Sequence, residues 1–211
     1  MQINLSGRSV ALTNLNKVFW PQLKLTKRDL LDYYARLAPL LLPHLRRRAM
    51  VMKRYPNRIE GKFFFMKRAP SPRPDWIEVC SIRHRSGNVI EFPVVNDLAS
   101  LLWLVNLGCI DLNPWYGRCD DVDRPDYVHF DLDPVPGASF GKVRETAVVV
   151  REALAAHQMP TYVKTTGSKG RADGGAACRG DTGRPPMAVR TQVGWISLPG
   201  AARRRANRAG R

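Results

Sequence analysis

The sequence predicts an α/β (α+β) domain, a mixed β-sheet with flanking helices. Three observations predict it. Short β-branched or aromatic stretches ("SVALT", "AMVMKR", "NVIEFPVV", "YVHFDLD", "TYVKTT") are interspersed, without internal repeat, among stretches with apolar residues every three or four positions. A hydrophobic share of 44% over 211 residues suffices for a real core. The pattern then stops near residue 171, apart from a strand-like period at "TQVGWISL". Beyond it lie nine Arg, no Lys, no Glu and many Gly and Ala, a composition expected of a poorly ordered tail. The reading is a domain over 1–170 and a divergent tail over 171–211.

Taken in order, "SVALTNLNKVFWP" reads as a short strand and a loop. Next, "TKRDLLDYYARLAPLLLPHL" reads as a helix, with Thr26 as N-cap and Asp29 closing a capping box. Its expected inner face is Leu30, Tyr33, Tyr34, Leu37 and Leu41. Strands follow at "AMVMKRYP", "GKFFFMKRAP" and "NVIEFPVV"; alternation places at least one of Phe63, Phe64 and Phe65 in the core. A nearly all-apolar helix is expected over "NDLASLLWLVNLGCI", capped by Asn96 or Asp97. The acidic run "RCDDVDRPD" lacks the glycine and terminal Glu of an EF-hand and reads as a solvated loop. After the strand "YVHFDLD" come a helix, "FGKVRETAVVVREALAAHQ", and a last strand, "TYVKTT".

Charge narrows the function. The chain has 34 Lys and Arg against 18 Asp and Glu, a formal net charge of +16, of which the tail supplies seven. Such an excess points to nucleic acid or another polyanion. The apolar runs "LAPLLLPHL" and "LASLLWLVNLGCI" are too short to span a bilayer, and no signal peptide pattern opens the chain. A cytoplasmic, nucleoid-associated protein is expected. The four cysteines form no C-x-x-C pair and read as free, mostly buried thiols.

Four stretches carry candidate chemistry. In "YVHFDLDPVPG", strand alternation sets Val128, Phe130 and Leu132 toward the core and His129, Asp131 and Asp133 on the other face. Two carboxylates spaced by one residue, with Cα atoms roughly 6.5–7 Å apart, can converge on a divalent ion. Hard oxygens suit Mn²⁺ or Mg²⁺. The alternative is a strand end whose aspartates pair with arginines. In "KTTGSKG", glycines, hydroxyls and Lys169 follow a strand, offering N–H groups and a cation to a triphosphate; an ordinary polar turn is the alternative. If the two strands are parallel neighbours, both stretches meet at one sheet edge. In "KRYPNRIEGKFFFMKR", lysines and aromatics alternate as a strand-binding surface requires. Lys27, in the first turn of the Thr26-capped helix, could join Asn14 and Lys17 as a pocket for one phosphate; an ordinary solvated helix start is the alternative.

Seven ordered blocks, "LTNLNKVFWP", "TKRDLLDYYARLAPLLLPHL", "KRYPN", "FFFMKRAP", "LLWLVNLGCIDLNPW", "RPDYVHFDLDPVPG" and "KTTGSKG", resemble the polymerase domain of bacterial DNA ligase D. They resemble still more its free-standing relatives in the archaeo-eukaryotic primase superfamily. The resemblance runs from about residue 8 to 170. It implies a primase-polymerase-like fold, incomplete at the C-terminus, and a nucleotidyltransferase that fills or extends DNA ends in non-homologous end joining. The implied partners are DNA with 5′-phosphorylated ends or gaps, NTP or dNTP, an ATP-dependent DNA ligase and an end-binding protein. The implied cofactor is Mn²⁺ or Mg²⁺. By the same resemblance, Asp131 and Asp133 are the metal-binding catalytic carboxylates. Thr166, Ser168, Lys169 and Gly170 bind the nucleotide, with Asn113 where ligase-attached members often carry a histidine. Asn14, Lys17 and Lys27 hold a 5′-phosphate, and Lys53, Phe64 and Phe65 contact the template.

The pattern breaks at "RADGGAACRG", where Ala172 replaces a histidine, and the strand carrying a third carboxylate is missing. Truncation, a frame-shift or a divergent ending would explain both, and each leaves the implied catalytic site one carboxylate short and this chain impaired as a catalyst. Two other readings stay open. One is a non-catalytic module for 5′-phosphorylated DNA ends. The other is a haloacid-dehalogenase-type phosphatase with Asp131 as nucleophile and Asp133 as general acid.

Overall fold

The computed structural model describes residues 1–132, 135, 137–165 and 191–193. The chain divides into two compact units, Met1–Pro125 and Asp126–Arg211. Strands and helices mix in it as the sequence predicts.

The first unit opens with an antiparallel hairpin of β1 (Gln2–Leu5) and β2 (Arg8–Ala11). Ser6 and Gly7 both take positive φ at its turn, which matches the twist of paired strands. A second hairpin, β3 (Val18–Trp20) with β4 (Leu25–Thr26), leads into helix α1 (Lys27–Leu45). Thr26 and Asp29 close the expected capping box: the Thr26 N–H donates to Asp29 Oδ2 at 2.6 Å. Hydrogen bonds from Thr26 hold the Asp29 carboxyl below the usual carboxylate range. The buried face of α1 is Leu30, Leu31, Tyr34, Ala38, Leu42 and Leu45, about one residue around from the predicted stripe; Tyr33 is 56% exposed. Pro39 and Pro43 lie inside this helix, both exposed, where their missing N–H groups cost least.

Strands β5 (Met50–Arg54), β6 (Phe64–Met66) and β9 (Cys109–Pro114) form an antiparallel sheet in the order β6-β5-β9. Between them in sequence come the hairpin β7 (Val79–Arg83) and β8 (Val89–Pro93) and helix α2 (Leu98–Asn106). Asp97 is the α2 N-cap, and every residue from Ala99 to Val105 is buried. The predicted helix runs too long: Gly108, at φ +80°, ends the turn, and Cys109 and Ile110 belong to β9. A Cβ on Gly108 would lie 2.8 Å from the Tyr55 carbonyl oxygen, so neither the φ nor the space admits another residue.

The main core packs α1 and α2 against β2, β5 and β9, centred on Val10, Phe19, Met50, Met52, Leu101 and Leu104. A smaller one under β7 and β8 gathers Ala49, Cys80, Ile82, Phe92 and Val94. Cys80, Cys109 and Cys119 are free thiols, the first two buried. The acidic run is not the expected loop. It forms a hairpin of β10 (Gly117–Arg118) and β11 (Asp121–Pro125), where a Gly117 Cβ would sit 2.5 Å from the Val122 carbonyl oxygen.

In the second unit β12 (Phe130–Leu132), helix α3 (Phe140–Ala155), β13 (Val163–Thr165) and β14 (Thr191–Val193) follow in sequence. Ser139 caps α3. The sheet order is β12-β14-β13, with β14 antiparallel to both neighbours. β12 and β13 therefore run parallel, as expected, but are not adjacent. A strand from the Arg-rich segment separates them.

Candidate nucleic-acid interface

The β3–β4 hairpin and the start of α1 bring together the residues expected to hold a phosphate. Asn14 takes φ +53°, which asparagine tolerates, and its carbonyl accepts the Lys17 N–H at 3.0 Å. The carbonyl groups of Lys17 and Leu15 accept the N–H groups of Lys27 and Arg28, at 2.8 and 3.0 Å. The first turn of α1 thus spends its N–H groups on the loop and the cap, and the cations must supply any anion affinity.

Lys27 is the most constrained of them. It is 4% exposed, and its Nζ donates to the carbonyl oxygen of Thr13 at 2.7 Å. Burial, with the charges of Lys17 and Arg54 added, pulls its pKa from 10.5 down to about 8. Lys17 Nζ donates to the Pro56 carbonyl at 2.6 Å. Arg54 Nε donates to the Leu107 carbonyl at 2.8 Å, and its guanidinium lies 5.3 Å from the centre of the Phe64 ring. Lys17 and Arg54 thus add to the cost of charging buried Lys27, while all three cations donate to neutral groups. A bound dianion would relieve that cost, which is what a phosphate site requires.

The second cluster lies on the three-stranded sheet. In register, Lys53 of β5 faces Phe65 of β6 and Asp111 of β9, while Val51 faces Asn113. Directly opposed residues share a face, so Phe65, Lys53, Asp111 and Asn113 line one side. Met50, Met52 and Met66 lie on the other, the first two completely buried. Lys53 Nζ is 2.9 Å from Asp111 Oδ2 and 4.4 Å from the centre of the Phe63 ring. Tyr55 packs on Phe63, and Phe63 meets Phe65 edge-on, with ring centres 5.6 and 5.9 Å apart. Burial lowers the Lys53 pKa, but hydrogen bonds to Tyr55 and Asp111 outweigh it and leave the pKa raised. Exposed Asn113 donates to the Val51 and Asp111 carbonyls.

One expectation is corrected here. Phe63, Phe64 and Phe65 are 49%, 44% and 59% exposed, so none is a core residue. The strand is an edge strand of three residues, and its outer aromatics pack on one another rather than inward. Phe64 and Phe65 point to opposite sides of the strand. Phe65 faces Lys53, whereas Phe64 faces Arg54 on the opposite side. Arg54, Tyr55, Phe63 and Asp111 were not singled out from the sequence, although strand alternation through "MVMKRYP" sends Lys53 and Arg54 to opposite faces.

In the second unit Asp131 is exposed on β12, between half-buried Phe130 and Leu132 and opposite Gln192 of β14. Asp133, Thr166, Ser168, Lys169 and Gly170 lie outside the described residues. Among the described residues no three His, Cys, Asp or Glu side chains come together as metal ligands, and no helix is long and apolar enough to cross a membrane.

Comparison with known proteins decides the family. Residues 26–171 match the family model described as LigD, primase-polymerase domain. The chain belongs to this family. Among LigD relatives, the multifunctional non-homologous end joining protein of Mycolicibacterium smegmatis is 34% identical over 163 residues, which is 76% of this chain and 21% of that protein. The bifunctional LigD of Bacillus subtilis is 30% identical over 158 residues, 75% of this chain and 25% of that protein. The solved polymerase domain of Mycobacterium tuberculosis ligase D, in complex with DNA, superposes with a TM-score of 0.71 at 26% identity. That match covers 90% of this chain and 62% of the other. The fold is therefore that of the LigD polymerase domain, and the chain spans about a fifth to a quarter of its curated LigD relatives. The family match ends at residue 171, where the composition changes.

Proposed function

We propose that this chain is a primase-polymerase-type nucleotidyltransferase that recognises 5′-phosphorylated DNA ends or gaps and adds NTP or dNTP opposite a template in non-homologous end joining. The observation that carries the reading is the cluster of Lys17, Lys27 and Arg54. Buried Lys27, with the charges of Lys17 and Arg54 beside it, makes an anion the natural missing partner. Membership of the LigD family supplies the reaction class and sets the phosphatase reading aside.

In this reading Lys17, Lys27 and Asn14 grip the 5′-phosphate and fix the register of the downstream strand. Phe65 and Phe63 offer their faces to template bases. Asn113, on the same sheet face, and Thr166, Ser168, Lys169 and Gly170 orient the triphosphate. Asp131 and Asp133 would hold Mn²⁺ or Mg²⁺. Exposed Asp131 on a strand offers the hard oxygen donors those ions take. When bound, such ions stabilise negative charge on the reacting phosphate and on the leaving pyrophosphate. An ATP-dependent ligase and an end-binding protein are the partners this role requires.

The test is extension of a primer across a gap bearing a 5′-phosphate, in the presence of Mn²⁺. Templated incorporation, slowed by the lack of a third carboxylate, is expected from the chain and none from the Asp131→Ala, Asp133→Ala double variant, with DNA binding unchanged. A second reading, a DNA-end-binding module without catalysis, is favoured by one observation: the phosphate cluster and the sheet platform lie wholly within Met1–Pro125. Phosphate-dependent binding with no incorporation by either form would select it.

A further inference from the structure

The two faces of the sheet treat their cations differently. Toward Lys27, the side chains of Lys17, Lys27 and Arg54 donate to carbonyl oxygens. On the Phe65 face, Lys53 is instead held by a carboxylate, 2.9 Å from Asp111 Oδ2. The grip is multiple. Tyr55 Oη donates to the same Asp111 oxygen at 3.3 Å, and the ammonium sits 4.4 Å above the Phe63 ring and 5.4 Å from the Tyr55 ring. Strand register sets Asp111 directly opposite Lys53. Immediately beyond, Arg54 pairs with Cys109, so Ile110 is an extra residue in β9. Its carbonyl accepts the hydroxyl of buried Tyr34 from α1, which anchors the bulge.

We propose that Asp111 is a positioning residue. It neutralises Lys53 and pins it against Phe63, so that an unpaired strand meets this face through its bases and not its phosphates. The Lys53 side chain is 24% exposed and Asp111 46%, so an approaching phosphate meets the carboxylate before the ammonium. Stacking on Phe63 and Phe65 carries no such penalty, because a base is uncharged. Phosphate then goes to the face that bears Lys17, Lys27 and Arg54. The inference rests on the DNA-binding reading above.

Salt dependence tests it, because each phosphate neutralised by a cation adds about 0.7 to the slope of log K against log salt on single strands. The ligand is a fluorescent 5′-hydroxyl single-stranded oligonucleotide, which offers no terminal phosphate to the Lys27 cluster. Lys53→Met is expected to leave the wild-type slope in place. Asp111→Asn is expected to steepen it by about 0.7, by releasing Lys53 to bind phosphate. In the double variant that steepening disappears. A fluorescent base analogue, 2-aminopurine, placed in the strand should be quenched by wild type and less by Asp111→Asn. The inference is overturned if Lys53→Met flattens the slope by about 0.7 while Asp111→Asn leaves it alone. It is overturned equally if removing Asp111 steepens the slope as much without Lys53 as with it, since that is plain repulsion. Failure of the wild type to bind this strand, with the 5′-phosphorylated strand still bound, would overturn the inference alone; failure to bind either would remove the DNA-binding reading itself.

Discussion

Replacing Lys27 by methionine keeps the length of the stem and deletes the charge. The phosphate reading makes two linked predictions for it. A charge-assisted hydrogen bond contributes about 1.5–3 kcal/mol, so the preference for a 5′-phosphate over a 5′-hydroxyl should fall by roughly 10- to 150-fold. The wild-type preference should also depend on pH. With a pKa of about 8, Lys27 is about nine-tenths protonated at pH 7 and about one-tenth at pH 9. A terminal phosphate, with a second pKa of about 6, is a dianion across that range. If only the ammonium binds, the preference declines about tenfold from pH 7 to pH 9. The assay is fluorescence anisotropy on one gapped duplex with either 5′ terminus, so that other titrations cancel in the ratio. A preference flat with pH in the wild type, or unchanged in Lys27→Met, refutes the reasoning. Stability gives an independent check of sign. The folded pKa lies below the unfolded one, so between about 8 and 10.5 the unfolded chain holds more protons and stability rises with pH. Lys27→Met should lack that rise in urea midpoints and be the more stable form at pH 7.

Phe65→Ala should weaken binding of a single strand by about 1–3 kcal/mol in an anisotropy titration, the usual cost of a lost base stack. Phe64→Ala, on the other face, should leave single-strand binding nearly unchanged. Gly108→Ala meets both a positive φ and the Tyr55 carbonyl oxygen at 2.8 Å, so a loss of about 1–3 kcal/mol is expected in the urea midpoint. Leu101→Ala, at a site with no exposure, should cost about 2–5 kcal/mol by the same measurement.

The sequence made some parts legible because a single local rule governed them. The Thr26–Asp29 capping box and the Asp97 cap rest on side chains bonding the nearest N–H groups, and both formed. Lys17 and Lys27 lie ten positions apart yet come together, because the β3–β4 hairpin folds between them. Where two rules competed, prediction slipped. The run "LLWLVNLGCI" is apolar enough for one long helix, but Gly108 ends the turn and Cys109 begins a strand whose register Lys53 and Asp111 share. The outward Phe63, Phe64 and Phe65 were misjudged because alternation presumes a strand with a buried face, and β6 is a short edge. The period at "TQVGWISL" marks β14 as a strand, but its place between β12 and β13 has no local signal. Asp111 carries no local motif, because its meaning lies in cross-strand pairing with Lys53.

Nucleotide incorporation on a gapped duplex in Mn²⁺, compared between 5′-phosphate and 5′-hydroxyl gaps, tests the central claim most directly. The account predicts template-dictated addition that is favoured by the phosphate and loses that advantage in Lys27→Met. Addition indifferent to both template and 5′ terminus, or none together with equal affinity for the two gaps, would contradict it.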